Sequence, residues 1–346
     1  MLEEVDVSCC RRLRRVAALA GAAALRTLKA DHSGVTDVCG LSECPALQTA
    51  FFRWCDRLVG IDPLVGGAHA LERFCVTATA VRHLGPIAQC RALVEVDVGL
   101  CSQLADLAPL AHMAAIRKVV ASRTSIRDVA ALAQCPALEE VYLSECRQLQ
   151  DLSPLAGAAA LRRIDANGSA VATLDGLQRL AGLELLHLGD CHALTDVRVL
   201  RGAPALRVLY LSGSAVTHLH SLHYCPALAD VYVSNCRHLE SVSGLTGAPA
   251  LRQLFAERTA LRHVDGLSSC PRLAALHLTG CTALRDLDGI IGAPALRVLA
   301  VECTAVADIS GLLYCEQLEE VRLARCPQIR DLAVLEHLPR LTRRVL

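Results

Sequence analysis

The sequence predicts an α/β solenoid: one array over residues 1–346, of about 15 coils, each a short strand followed by a tight return. Three observations predict it. An apolar anchor recurs at Leu2, Leu25, Leu47, Leu71, Leu93, Ile116, Leu138, Leu161, Leu183, Leu206, Leu228, Leu251, Leu273, Leu296, Leu318 and Leu341. The steps are 23, 22, 24 and 22, then 23 and 22 in alternation, and the single 24 coincides with the extra glycine of Gly66-Gly67. Units open in the manner of LEEVYL at 138–143, with an apolar residue at every second position, as a strand buried on one face requires. Apolar residues then recur every third position, as at Leu149, Leu152 and Leu155 or at Val171, Leu174, Leu177 and Leu180. That period suits a 3₁₀ return better than a second strand.

Bulk properties narrow the function. A repeat array adds coils without needing separate cores, so a length of 346 residues is compatible with one elongated domain. The 35 basic and 35 acidic residues cancel, leaving no field of one sign to gather nucleic acid or a membrane surface. Although 53% of the residues are apolar, no run approaches the roughly 20 needed to span a membrane. The repeat register starts at Leu2, which leaves no place for a signal peptide, and the expected location is cytoplasmic, or else nuclear or cytoskeletal.

The 18 cysteines follow the repeat rather than a disulfide framework. Eight stand eight residues after an anchor, in alternate coils: Cys10, Cys55, Cys101, Cys146, Cys191, Cys236, Cys281 and Cys326. The intervening coils carry Ser or Thr there, from Ser33 and Thr79 to Thr304. Coils are spaced about 4.8 Å apart, so cysteines in alternate coils lie roughly 10 Å apart, beyond bridging range. Six more, Cys44, Cys90, Cys135, Cys225, Cys270 and Cys315, lie three residues before an anchor. Neither set has zinc-finger spacing, so burial as thiols in a reducing compartment is expected, with no metal and no cofactor.

This fixed period, with L-x-x-L-x-L in each unit, resembles the leucine-rich repeat family over essentially the whole chain. The resemblance implies a right-handed solenoid curved into an arc, with short parallel strands on its concave face and 3₁₀ turns on its convex face. It also implies that the slot eight residues after the anchor turns inward to bond the backbone. The unit length is similar to that of phosphatase-regulatory and internalin-type repeats. The wording, such as L-x-G-A-P-A-L-R and T-A-V, looks most like kinetoplastid leucine-rich repeat proteins.

Turn chemistry punctuates the coils. Proline lies two residues before an anchor at Pro45, Pro136, Pro204, Pro226, Pro249, Pro271, Pro294 and Pro339, where it is expected to hold the chain extended ahead of the strand. Asp106, Asp151, Asp196, Asp286 and Asp331 recur in L-x-D-L-x-x-L and read as caps of the following turn rather than a catalytic set. No amphipathic cap covers either end, so the chain is expected to be a piece of a longer protein, or to have both ends covered by something else.

Alternation places positions +2, +4 and +6 after each anchor on the concave face. The chain has one Trp, five Tyr and four Phe, and half of these ten, Phe51, Tyr142, Tyr210, Tyr232 and Phe255, fall in the +4 column. From His187 to His277 that column reads His187, Tyr210, Tyr232, Phe255, His277, a ribbon suited to anchoring a partner. Phe51, with Arg53 and Trp54, is a second candidate anchor. In the +2 column, Arg73, Glu95, Lys118, Glu140 and Arg163 alternate in sign and read as a self-neutralising ladder. Glu257, Arg258, Glu302, Glu320, Arg322 and Arg325 read as a polar rim.

No phosphate loop, H-E-x-x-H or G-x-S-x-G motif occurs, and no residue is assigned a catalytic role. His218, His220 and His223 match no zinc spacing, and Cys75 reads as an exposed thiol without a base. The expected function is therefore a non-catalytic scaffold that binds a protein partner, with no nucleic acid and no membrane insertion. The alternative is the recognition arm of a larger enzyme complex, a phosphatase regulatory subunit or an F-box-type ubiquitin-ligase substrate receptor.

Overall fold

The computed structural model describes residues 2–64 and 68–346, so the Gly66-Gly67 explanation of the long step lies outside the described residues. They form two compact units, Met1–Ala170 and Val171–Leu346. The first unit contains strands β1 (Glu4–Asp6), β2 (Thr27–Lys29), β3 (Thr49–Phe51), β4 (Arg73–Cys75), β5 (Glu95–Asp97), β6 (Lys118–Val120), β7 (Glu140–Tyr142) and β8 (Arg163–Asp165). The second contains β9 (Leu185–His187), β10 (Val208–Tyr210), β11 (Asp230–Tyr232), β12 (Gln253–Phe255), β13 (Ala275–His277), β14 (Val298–Ala300), β15 (Glu320–Arg322) and β16 (Arg343–Val345).

Every strand occupies positions +2 to +4 after its anchor, and within each unit successive strands pair in parallel and in register. Glu140 lies opposite Arg163, and Tyr142 opposite Asp165; Val208 lies opposite Asp230, and Tyr210 opposite Tyr232. The sequence columns are therefore physical rows. Position +3 points into the core, where Val141, Ile164, Leu209 and Leu254 are fully buried, as are Leu143 and Leu211 at +5. Within the first unit the ladder runs past the strands, for Val7 donates to the Lys29 carbonyl at 2.8 Å and Cys9 to the Asp31 carbonyl at 2.8 Å.

The residue at +7 turns the chain off the sheet through the left-handed region in every coil from Cys9 to Arg325. Glycine fills it at Gly168, Gly213 and Gly280, yet Ala78 (φ 57°), Leu100 (φ 61°), Arg123 (φ 58°) and Arg258 (φ 54°) occupy it as well. A Cβ in that region costs roughly 1–2 kcal/mol, and the backbone bonds on both sides hold the residue there regardless. Ala78→Gly is therefore expected to stabilise the fold, by about 0.5–1 kcal/mol once the greater freedom of glycine in the unfolded chain is counted. Urea unfolding of the two proteins measures it, and an unchanged or lowered midpoint would show that the turn is unstrained.

The returns match their predicted period: every helical segment among the described residues is 3₁₀, for example Ser153–Gly157 and Leu177–Arg179. Four of the five predicted aspartate caps form, with Asp106, Asp151, Asp196 and Asp331 each accepting from the backbone N–H two residues on, at 2.7–2.8 Å. Asp286 instead pairs with His263 Nδ1 at 3.1 Å. The prolines differ from expectation. Pro45, Pro136, Pro226 and Pro271 sit inside a β-turn closed by a bond from the anchor N–H to the cysteine carbonyl, such as Leu47 to Cys44 at 3.1 Å. A fixed φ near −65° suits the second residue of such a turn as well as it suits an extended chain.

All 18 cysteines are free thiols. In the +8 slot the thiol donates to a carbonyl 25 residues back: Cys101 to Val76 at 3.1 Å, Cys146 to Ala121 at 3.2 Å and Cys281 to Ala256 at 3.0 Å. The alternate Ser or Thr approaches the same thiol, as Thr79 does Cys101 at 3.3 Å. Cys10 departs from the expected burial and is exposed, and Cys326 is part-exposed. The second cysteine set also caps the preceding coil, with Cys135 donating to Leu110 and Cys225 to Leu200 at 3.2 and 3.1 Å. Burial raises the thiols of this second set, that of Cys90 to about 11, so they remain protonated rather than acting as nucleophiles.

Candidate protein-binding face

In the second unit, parallel pairing in register sets the +4 side chains of adjacent strands about 4.8 Å apart, a distance at which flat rings can stack. His187, Tyr210, Tyr232, Phe255 and His277 do so. Their ring centroids are 4.8, 4.3, 4.8 and 4.4 Å apart in order, and the last three contacts lie within 18° of parallel. All five rings are half-buried. The stack ends at buried Ala300, beyond which Arg322 pairs with Glu320 on the same strand. Because the ring faces cover one another, the ribbon offers a partner its rims and hydroxyls.

The flanks of the ribbon are unlike each other. The +2 row reads Leu185, Val208, Asp230, Gln253, Ala275, Val298, apolar or neutral except for Asp230. The +6 row carries Ser234, Glu257, Thr279 and Glu302, in which Ser234 donates to Glu257 at 2.7 Å and Thr279 to Glu302 at 3.2 Å. Burial raises the Asp230 carboxyl, an effect that the charges of Arg252 and Arg207 only partly offset. Burial, with Tyr210 and Asp230 nearby, likewise raises the Tyr232 hydroxyl.

Burial also lowers the His277 imidazole below its ordinary 6.5; Arg322 adds to this and Glu257 opposes it. The unfolded chain therefore binds this proton more readily than the folded one, and the stability tied to neutral His277 is complete above about pH 6.5 and lost as pH falls through the lowered value. His277→Phe keeps a ring in the stack and removes the proton site. The variant is expected to lose less stability than the parent between about pH 7.5 and about pH 5.5, and equal losses in denaturant titrations would exclude His277 as a source of acid sensitivity.

The candidates in the first unit do not form a second ribbon. Phe51 lies on the strand face beneath two guanidinium groups, with Arg53 4.5 Å and Arg73 5.5 Å from the ring centre. Trp54 is separated from it by the turn: it occupies the left-handed +7 position (φ 60°), is 52% exposed and lies parallel to His32 at 5.9 Å. Tyr142 donates to Glu140 at 3.0 Å with the Lys118 ammonium 5.6 Å from its ring centre. The +2 ladder neutralises itself as expected, with Glu95 bridging Arg73 at 3.0 Å and Lys118 at 3.3 Å, and Glu140 pairing with Arg163 at 3.3 Å.

Cys75 requires a correction. Although it stands in the outward +4 column, it is only 2% exposed, covered by the Arg53 guanidinium, whose Nε donates to the sulfur at 3.2 Å, and by the Thr77 hydroxyl at 3.1 Å. Burial, with Asp97 beside it, raises the thiol despite those contacts. His218 and His220 stack on each other at 4.5 Å, while His223 turns to the Gly244 carbonyl. Among the described residues no group of three His, Cys, Asp or Glu is arranged to hold a metal ion, and no helix is long and apolar enough to cross a membrane. Asp230 is not among the sequence candidates, although the +2 column beyond Arg163 carries it as the lone charge in a neutral stretch from Leu185 to Val298.

Known structures repeat this coil geometry. An internalin, InlF, from Listeria monocytogenes superposes with a TM-score of 0.67 at 15% identity, covering 100% of this chain and 87% of that one. A leucine-rich repeat protein from Leptospira interrogans superposes with a TM-score of 0.53 at 13% identity, covering 99% and 95%. The fold is a leucine-rich-repeat solenoid. The functional domain of InlJ from Listeria monocytogenes, described as including a cysteine ladder, matches this solenoid with a TM-score of 0.69 at 16% identity, covering 88% of this chain and 64% of that one. No protein-family model matches the solenoid's sequence, and no curated protein matches it.

Proposed function

We propose that this solenoid is a non-catalytic adaptor that binds a partner protein on the strand face of its second unit, with His187, Tyr210, Tyr232, Phe255 and His277 as the contact ribbon. One observation carries the reading: five stacked, half-buried rings stand on five consecutive strands of one face. Rings present much contact area at little entropic cost and dominate protein interfaces. Phe51, Trp54 and Tyr142 contribute a separate, more polar surface, for each already has a charged or aromatic neighbour within its own unit. Free thiols suit a reducing compartment, and a cytoplasmic location goes with the proposal. Affinity capture from cell extract, comparing the parent with a Tyr210→Leu, Tyr232→Leu, Phe255→Leu variant, tests it. A protein retained by the parent and lost by a folded variant supports the ribbon; identical captured sets would move the binding site elsewhere.

A further inference from the structure

The carboxylates beside the aromatic stack are held differently from those of the first unit's +2 ladder. In the first unit, the strand-face carboxylates Glu95 and Glu140 are ion-paired to Arg73, Lys118 and Arg163, and Glu145 beyond the turn pairs with Arg123. In the second, Asp230, Glu257 and Glu302, which flank the aromatic stack, have no cation within ion-pair distance among the described residues. Glu257 and Glu302 accept only from the hydroxyls of Ser234 and Thr279. Asp230 makes no hydrogen bond or ion pair among the described residues: Arg207 and Arg252, one residue from the strand edge, act on it through space without coming within ion-pair distance. An acid left half-buried beside Tyr232 is costly in the free protein unless a cation completes it on binding.

Geometry says what kind of cation fits. The ring faces are taken up by stacking, so contact through a π face is not what the ribbon offers; ring rims carry the positive edge of the quadrupole. Electrostatic attraction must come from the carboxylates, and the rims supply an apolar bed. Asp230 at +2 and Glu257 at +6 lie on opposite flanks of the column, roughly 13 Å apart at strand rise. Long side chains with an apolar stem and a charged head match both features, the stem lying across the rims and the head reaching a carboxylate.

We infer that the second unit's strand face receives a basic segment of its partner protein, with Arg or Lys side chains on either side of an apolar residue seated on Tyr232 and Phe255, and with Asp230 and Glu257 as their counterions. This rests on the ribbon being the binding face. The test selects ligands for the full chain from a random-peptide display library, then measures the best synthetic peptides against three proteins: the parent, an Asp230→Asn, Glu257→Gln variant, and the Tyr210→Leu, Tyr232→Leu, Phe255→Leu variant. Selected peptides are expected to carry Arg or Lys flanking an aromatic or aliphatic residue. Their affinity is expected to fall about tenfold or more in the Asn/Gln variant, to be lost in the ring variant, and to weaken with salt more steeply for the parent than for the Asn/Gln variant. Peptides with no basic bias, or an affinity unmoved by Asp230→Asn, Glu257→Gln yet lost with the rings, would overturn this inference and leave the binding face standing. Peptides indifferent to the ring variant, or no selected peptide at all, would remove both.

Discussion

Gly289→Ala is expected to destabilise the second unit by more than about 3 kcal/mol, the range reached when backbone itself must move to admit an atom. A Cβ at residue 289 would stand 2.1 Å from the Val264 carbonyl oxygen, 2.3 Å from its carbon and 2.6 Å from the Asp265 nitrogen. None of these can rotate away as the tip of a side chain can. Gly244 meets the Leu219 carbonyl in the same manner, at 1.9 Å, so two returns of this unit approach the preceding coil closely enough to exclude any side chain. In a repeat array each coil is stabilised mainly by its neighbours, and damage at one interface lowers the stability of those beside it. Gly292→Ala is the matched control. That glycine has φ 72° with nothing within 4 Å of an added Cβ, so its substitution should cost only the left-handed conformation less the freedom glycine has in the unfolded chain, about 0.5–1 kcal/mol. Chemical denaturation of the two variants separates close approach from backbone strain, and equal losses would show that the coils can part to admit the methyl group.

The second large effect is on binding. Replacing Tyr210, Tyr232 and Phe255 together removes every one of the four ring contacts in the stack. At roughly 0.5–1.5 kcal/mol each beyond the area buried, the stack also stabilises the sheet, so alanine in all three places would weaken both fold and interface. Leucine retains apolar volume while removing flatness and the hydroxyls, which is why it is the substitution of choice, with circular dichroism to establish that the strands persist. Central aromatic anchors commonly contribute 2 kcal/mol or more apiece to an interface, so a partner held by the ribbon is expected to be released by more than about a hundredfold. A loss of less than about tenfold, in a variant that remains folded, would identify the stack as a structural device of the sheet alone.

Much of this was legible in the residues, and the reason is periodicity. Anchors 22 or 23 residues apart, alternation across the strand and a three-residue rhythm in the return determined the strands, the 3₁₀ turns and the columns, because each depends on local spacing and on which face is buried. The aspartate caps followed for the same reason, at four of five positions. The fifth failed where a residue from another coil, His263, competed for the carboxylate.

What the sequence by itself determined is the repeat and its columns: which residue of each coil is an anchor, which faces inward, and that His187, Tyr210, Tyr232, Phe255 and His277 share one row. Only the tertiary structure decided how the members of a row meet. It covered Cys75 with Arg53 and Thr77, set Trp54 beyond the turn and away from Phe51, placed every +7 residue in the left-handed region whatever its type, and left Asp230 without a counterion while pairing Glu95 and Glu140. The physical reason is that spacing along a chain specifies direction, whereas burial, stacking and charge pairing depend on what the neighbouring coil presents about 5 Å away.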